Sequence, residues 1–247
     1  MLARLLHARM PRERGAWFLM VFLGIFQLTI PYGLVFWGEQ YISSGLAAVL
    51  YATLPFFVVL FAHLMVNERL THVRAAGICA SFAGLVAIFW SDLSAENVAA
   101  RAFLLGGLAV VVSTASSAFA NVVAKKYAGK IDPSFNILVQ SAICSIALLG
   151  VSQLFEAGTQ VSFNLVAVGA VLYLGIFGSA LAFVGLYWLL TQTTVTNTST
   201  LAFITPILAV LLGWLVLYEV PDRNMSLGTV LILAGVYLTL KTPGRIL

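Results

Sequence analysis

Long apolar segments divide this chain, and the short connections between them carry nearly all of its charged residues. A helix needs roughly 20 apolar residues to cross the hydrocarbon core of a bilayer. With only 9% charged residues, the chain cannot cover a water-facing surface. These features predict an all-α integral membrane protein with eight transmembrane helices, near residues 16–38, 44–66, 73–91, 102–124, 134–155, 164–190, 197–217 and 226–241.

Helices are the expected form of these segments, because in lipid every backbone polar group must find its hydrogen bond within the protein. A membrane β-barrel would instead alternate polar and apolar residues over strands of about 10 positions. The run Leu181–Leu190 does not alternate in this way. The segments therefore predict a bundle of helices.

The basic residues predict the orientation of the bundle. If the N-terminus is cytoplasmic and the segments alternate, the outer loops hold only Arg101 and Arg223 of the 13 lysines and arginines. Cytoplasmic loops are enriched in these residues. The sequence thus predicts a multi-pass protein of the cytoplasmic (inner) membrane with both termini in the cytoplasm. The bilayer is the expected partner and nucleic acid is not, while nothing in the sequence fixes an oligomeric state.

Metal, cofactor and catalytic motifs are not found in the sequence. Cys79 and Cys144 lie in separate apolar segments, and the three histidines are scattered, so no ligand spacing typical of a metal site occurs. Neither the H-E-x-x-H nor the G-x-S-x-G motif is present. We therefore expect no metal, no cofactor and no enzymatic activity.

The chain repeats itself at an offset of 151 residues. Leu23–Phe26 (LGIF) recurs as Leu174–Phe177 without a gap. The same offset relates five further pairs: Trp37 and Trp188, Pro55 and Pro206, Glu68 and Glu219, Gly77 and Gly228, Gly84 and Gly235. In the predicted topology the two glutamates fall on opposite sides of the membrane. Repeats that are inverted in this way are typical of secondary transporters.

The repeat divides the chain into two unequal halves. Residues 1–91 hold three predicted helices and residues 102–247 hold five. The two helices at 102–124 and 134–155 have no counterpart upstream, because subtracting the offset places them before Met1. The sequence thus suggests an incomplete first repeat that lacks two helices.

Several repeated residues suit gating or structural roles. Gly77 and Gly84 are seven residues apart, as are Gly228 and Gly235. Two glycines at this spacing lie on one helix face and allow a neighbouring helix to approach closely. The repeated prolines lie within spans, where proline bends a helix, either for packing alone or for gating. The repeated glutamates end their spans and suggest contacts with a helix terminus. The set is Pro55, Pro206, Glu68, Glu219, Gly77, Gly84, Gly228 and Gly235.

These residues also carry a family resemblance. The stretch from Leu54-Pro55 to Glu68-Arg69-Leu70, with its counterpart from Thr205-Pro206 to Glu219, resembles the EamA branch of the drug/metabolite transporter superfamily. The resemblance implies ten helices in two inverted halves of five, with helices three to ten present here. It also implies movement of small metabolites, often amino acids.

Polar residues deep in the apolar segments are candidates for substrate binding, since they are unfavourable against lipid. Serine and threonine can instead bond to their own helix or to a neighbour. The two glutamines are harder to accommodate in hydrocarbon. The candidates are Gln27, Tyr51, Thr53, Ser113, Ser117, Gln140, Ser179 and Thr205.

Two functions follow as alternatives. The first is transport, in the export direction, of small metabolites such as amino acids by alternating access between the inverted repeats. No aspartate or glutamate lies near the centre of a predicted span, which favours facilitated diffusion over proton coupling. The second is a truncated, non-transporting membrane protein or remnant that acts only as a helical partner.

Overall fold

The computed structural model describes residues 11, 13–66, 71–93, 98–126, 133–156, 164–181, 208, 215 and 223–241. These residues are largely helical, and none of them forms a β-strand. Their α-helices, α1 to α9 in chain order, are Arg14–Leu23, Ile30–Gly38, Ser44–Tyr51, Leu54–Val66, His72–Leu93, Val98–Lys126, Pro133–Phe155, Leu165–Tyr173 and Arg223–Lys241. Two π-helical segments, π1 (Gly24–Thr29) and π2 (Leu174–Leu181), continue α1 and α8.

Four helical stretches are long and apolar enough to cross a membrane, and three shorter apolar helices accompany them. The four are Arg14–Gly38, Ser44–Met65, Val98–Ala124 and Phe135–Phe155; the three are His72–Ile88, Leu165–Gly178 and Arg223–Leu238. The prediction of an all-helical membrane fold is therefore confirmed. The number of eight spans and the repeat of five plus five helices stay predictions. The predicted segment at 197–217 lies outside the described residues, apart from Leu208 and Leu215.

The second span is interrupted just before Pro55. Pro55 has no backbone N–H, so it cannot complete the bond that a continuous helix would make four residues back. The chain tightens instead: Thr53 N–H donates to Leu50 O at 3.1 Å, and Phe56 N–H donates to Thr53 O at 2.9 Å. The span thus consists of two helices, α3 and α4, joined through Ala52 and Thr53.

Helix α6 organises the packing of the bundle. It contacts α2, α3, α4 and π1, while α7 packs on α1 and π1 and the α9 helix packs along α5. The buried core joins α3, α5, α6 and α9 through a cluster of aliphatic side chains that includes Leu50, Leu85, Val110 and Ile232. Helices of the predicted second half, α6 and α7, therefore pack directly on helices of the first.

Glycines lie where these helices come closest. A Cβ atom on Gly84 of α5 would lie 2.7 Å from the carbonyl oxygen of Gly228 on α9, and one on Gly235 would lie 2.5 Å from Gly77 O. All four glycines that the sequence repeats are thus found at one helix interface. A second close approach joins Gly38 of α2 to Gly106 of α6, where an added Cβ would lie 2.7 Å from Gly106 O. The sequence repeat does not contain this second pair.

Candidate substrate-binding site

Polar side chains gather where π1 and the end of α3 meet α6 and α7. On α6, Ser113, Ser117 and Asn121 follow one another at intervals of four residues, which places them on one helix face. On α7, Gln140 and Cys144 have the same spacing. The hydrogen bonds of Ser117 and Asn121 to the first two spans define the candidate site.

A side-chain amide pair links the first span to α6. Gln27 Nε2 donates to Asn121 Oδ1 at 3.0 Å, and both side chains are half-buried. Beside this pair, Ser116 Oγ donates to the carbonyl oxygen of Phe26 at 2.7 Å. Gln27 is one of the residues that the sequence singles out, whereas Asn121 and Ser116 are not.

The π-helical form of this stretch explains why side chains bond to its backbone. A π-helix shifts the backbone bond from the fourth to the fifth residue, which disturbs the regular pairing of carbonyls. Thr29 Oγ1 donates to Gly24 O at 2.9 Å, and Ser116 reaches Phe26 O from the neighbouring helix. Polar side chains therefore concentrate at π1. Such segments are frequent at functional sites.

Tyr51 forms the second link, at the interruption between α3 and α4. Its hydroxyl and Ser117 Oγ lie 2.9 Å apart in a hydrogen bond that either group can donate. The structure thus brings Tyr51 and Ser117 into direct contact, on the same face of α6 that carries Asn121.

Helix α7 closes the other side of the group. Gln140 is only 4% exposed. It packs against π1, since a Cβ on Gly24 would lie 3.3 Å from Gln140 Cα and 3.2 Å from Ile143 Cβ. One turn further, the buried Cys144 lies near Thr29 of π1. Gly24 is therefore the point at which α7 approaches the first span.

Two of the candidate residues are buried without joining this network. Thr53 Oγ1 donates to Leu50 O at 2.6 Å, so its hydroxyl is used by its own helix turn. Ser113 is fully buried, and its Oγ meets no hydrogen-bond partner among the described residues. The Thr53 hydroxyl is thereby occupied, whereas Ser113 lies one turn before Ser117 on the same face of α6. A role for either in substrate binding stays a prediction.

The remaining candidates belong to the second repeat or to the ends of spans. Thr205, Pro206, Glu68 and Glu219 lie outside the described residues, and only the backbone of Ser179 is described, within π2. The position of π2 is informative because the offset of 151 residues carries Gly24 of π1 onto Gly175 of π2. The two π-helical segments therefore occupy corresponding places in the sequence repeat.

An aromatic cluster lies next to the polar group. Phe119 of α6 makes edge contacts with Phe22, Phe26 and Phe61, at ring-centroid distances of 5.7–6.0 Å. A groove of about 400 Å³ lies between the start of α1 and the end of α6; its lining includes Glu13, Phe18, Phe22 and Val123. Phe22 thus belongs both to the aromatic cluster and to the lining of this largely apolar groove.

Comparison with known proteins places this architecture in a family. The family model described as the EamA-like transporter family matches residues 1–90 and 104–241. The chain belongs to the EamA-like transporter family. An uncharacterized transporter, YoaV of Bacillus subtilis (strain 168), is 30% identical over 86% of this chain and 72% of its own length.

Other relatives of this EamA-like chain carry similar names. An uncharacterized transporter of Archaeoglobus fulgidus is 28% identical over 89% of the chain and 76% of its own length. Protein PagO of Salmonella typhimurium is 27% identical over 87% of the chain and 70% of its own length. A crystal structure with 20% identity superimposes at a TM-score of 0.60, covering 92% of this chain and 76% of the other. That likeness shows a shared fold.

The EamA-like chain is thus a multi-pass membrane protein of a family of transporters. Its site offers amides, hydroxyls and a thiol, set among apolar helices. Such groups can donate and accept hydrogen bonds to a small polar molecule. In the described part of the chain, no three histidine, cysteine or acidic residues lie together in a group that could hold a metal ion.

Proposed function

We propose that this EamA-like chain exports small metabolites such as amino acids across the cytoplasmic membrane, by alternating access between two inverted repeats. The proposal rests on one observation above all. Gln27 and Tyr51 come from two apolar spans and bond to Asn121 and Ser117, one turn apart on α6, while Gln140 is buried on α7 where that helix packs on π1. Polar groups of this kind inside spans mark substrate pathways.

The interrupted helices support alternating access. Transporters with inverted repeats bind substrate at discontinuous helices near the bilayer midplane. Here α3 and α4 are separated at Pro55, and π1 interrupts the regular bonding of the first span. The matching position of π2 supports a second, inverted contribution from residues 102–247, with residues 1–91 forming the first half. Pro55 and Pro206 would then serve as points of bending.

The charge distribution supports the proposed orientation. Both termini would be cytoplasmic, because the cytoplasmic side then holds all but two of the lysines and arginines. The names of the relatives support a transporter rather than an enzyme. The absence of acidic residues from the span centres supports facilitated diffusion rather than proton exchange.

Flux in proteoliposomes tests the proposal directly. Purified 247-residue chain would be reconstituted and loaded with pooled amino acids, and the exchange of radiolabelled amino acids would be followed. We expect saturable flux that unlabelled competitors reduce and that empty liposomes lack. If correctly folded protein gives no saturable flux with amino acids or related metabolites, the proposal is wrong and the non-transporting alternative is supported.

Gln140→Leu is expected to reduce this flux about tenfold, because it removes an amide from the candidate site. A tenfold reduction corresponds to a loss of about 1.4 kcal/mol of interaction free energy, which is in the range of one hydrogen bond. Yield in the membrane should not change, since leucine has a similar volume and suits an apolar helix. The matched control is Gln153→Leu, at an exposed position on the same helix, which should leave flux unchanged. Wild-type kinetics in the Gln140 variant would exclude this residue from the site.

A further inference from the structure

The candidate site is built without charged side chains. Aspartate, glutamate, lysine and arginine are all missing from residues 15–38, 40–67, 75–91, 102–124 and 133–155, which hold the polar side chains of the site; the nearest charged residue along α6 is Lys125, one turn beyond Asn121 towards the end of the helix. The residues 157–218 and 224–240, which hold most of the second repeat, also lack them. A substrate with a net charge would therefore find no countercharge along these spans. Transferring an unpaired charge into such surroundings is far less favourable than transferring a neutral polar group.

The amide pair supplies a different kind of recognition. Gln27 Nε2 uses one of its hydrogens on Asn121 Oδ1. Among the described residues the two amides make no other side-chain hydrogen bond, which leaves Gln27 Oε1 as an acceptor and Asn121 Nδ2 as a donor. Both side chains are half-buried. The pair thus carries one further acceptor and one further donor without net charge, one helical turn from the Ser117 that bonds Tyr51.

We propose that the Gln27–Asn121 amide pair selects polar solutes of zero net charge, including zwitterionic neutral amino acids, over charged solutes of the same shape. This inference rests on the proposed transport function. The amide dipoles can meet a donor and an acceptor on the same solute, and the two charges of a zwitterion partly compensate each other. They cannot neutralise an additional carboxylate or guanidinium group.

Isosteric solute pairs test the selectivity. Counterflow into proteoliposomes of the intact chain would be compared for glutamine against glutamate, and for citrulline against arginine. We expect the neutral member of each pair to move about tenfold faster or more, since only the charged member needs a countercharge. Rates within about twofold for all four solutes would overturn the inference while leaving transport itself intact. Absence of saturable flux for all four, and also for the pooled amino acids and related metabolites of the transport assay, would overturn the proposed function, and this inference with it.

Charge variants of the pair separate recognition from a structural role. Gln27→Glu is expected to raise the arginine-to-citrulline ratio about tenfold, because the new carboxylate supplies a countercharge. Asn121→Lys should raise the glutamate-to-glutamine ratio by a similar factor, so either variant suffices if the other fails to fold. The control Gln153→Glu, at an exposed position on α7, should change neither ratio. If both variants fold and both ratios keep their wild-type values, the pair is not the selective element.

Discussion

Gly228→Leu is expected to prevent the chain from accumulating as folded protein in the membrane. A Cβ atom at this position would lie 2.6 Å from the carbonyl oxygen of Gly84 and would also overlap the Ile88 side chain. A backbone carbonyl cannot move aside as a flexible side chain can, so helices α5 and α9 would have to separate. Overpacking a well-packed interior usually destabilises by 1–3 kcal/mol, and we expect more than about 3 kcal/mol here because the contact is between backbones.

The yield of monodisperse protein from a fluorescent fusion, extracted in mild detergent, measures this effect, and we expect a fall of about tenfold or more. Gly150→Leu is the matched control. Gly150 lies on α7, and no atom of the described residues comes within 4 Å of a Cβ atom built there. The control should accumulate like the wild type. Equal yields of the two variants would show that the close approach of α5 and α9 does not hold the fold together.

The helices of this chain could be predicted from the sequence because the bilayer fixes their length and form. The predicted segment 44–66 and the observed span Ser44–Met65 differ by a single residue. The break within that span was harder to predict from the sequence. Pro55 predicts a bend, but not that Tyr51 would end α3 and that Thr53 would bond back to Leu50. The π1 segment has no sequence signature, since six residues are too few to show a change of helical period.

The candidate site could be predicted only in part, and the reason is physical. Gln27 and Gln140 are conspicuous because an amide is unfavourable in hydrocarbon. The partner of Gln27, Asn121, is 94 residues away, and helix periodicity says which residues share a face but not which helices face each other. The four-residue spacing of Ser113, Ser117 and Asn121 was a usable signal. Short hydroxyls such as Thr53 can be satisfied by their own helix, so their depth alone does not indicate a binding role.

Tyr51→Phe is expected to lower the flux of the proposed substrates by about tenfold, near the upper limit for losing one uncharged hydrogen bond. The change removes the hydroxyl that bonds Ser117 at 2.9 Å and keeps the ring, so packing at the end of α3 should persist. Initial rates of counterflow, normalised to the amount of folded protein, give the measurement. Tyr41→Phe is the control, because Tyr41 lies on the connection between α2 and α3, where its ring packs against Trp37.

A double-mutant cycle with Ser117→Ala distinguishes two roles for this contact. If the Tyr51–Ser117 hydrogen bond aligns α3 with α6 and does nothing else, either single change removes it and the double variant loses no more flux than one of them. If both hydroxyls also contact substrate, the two losses should combine and the apparent KM should rise further in the double variant. Reduced yield in all three variants, with normal flux per folded molecule, would assign the contact to folding. Because the bond closes the site beside the interruption at Pro55, we expect the combined loss of flux.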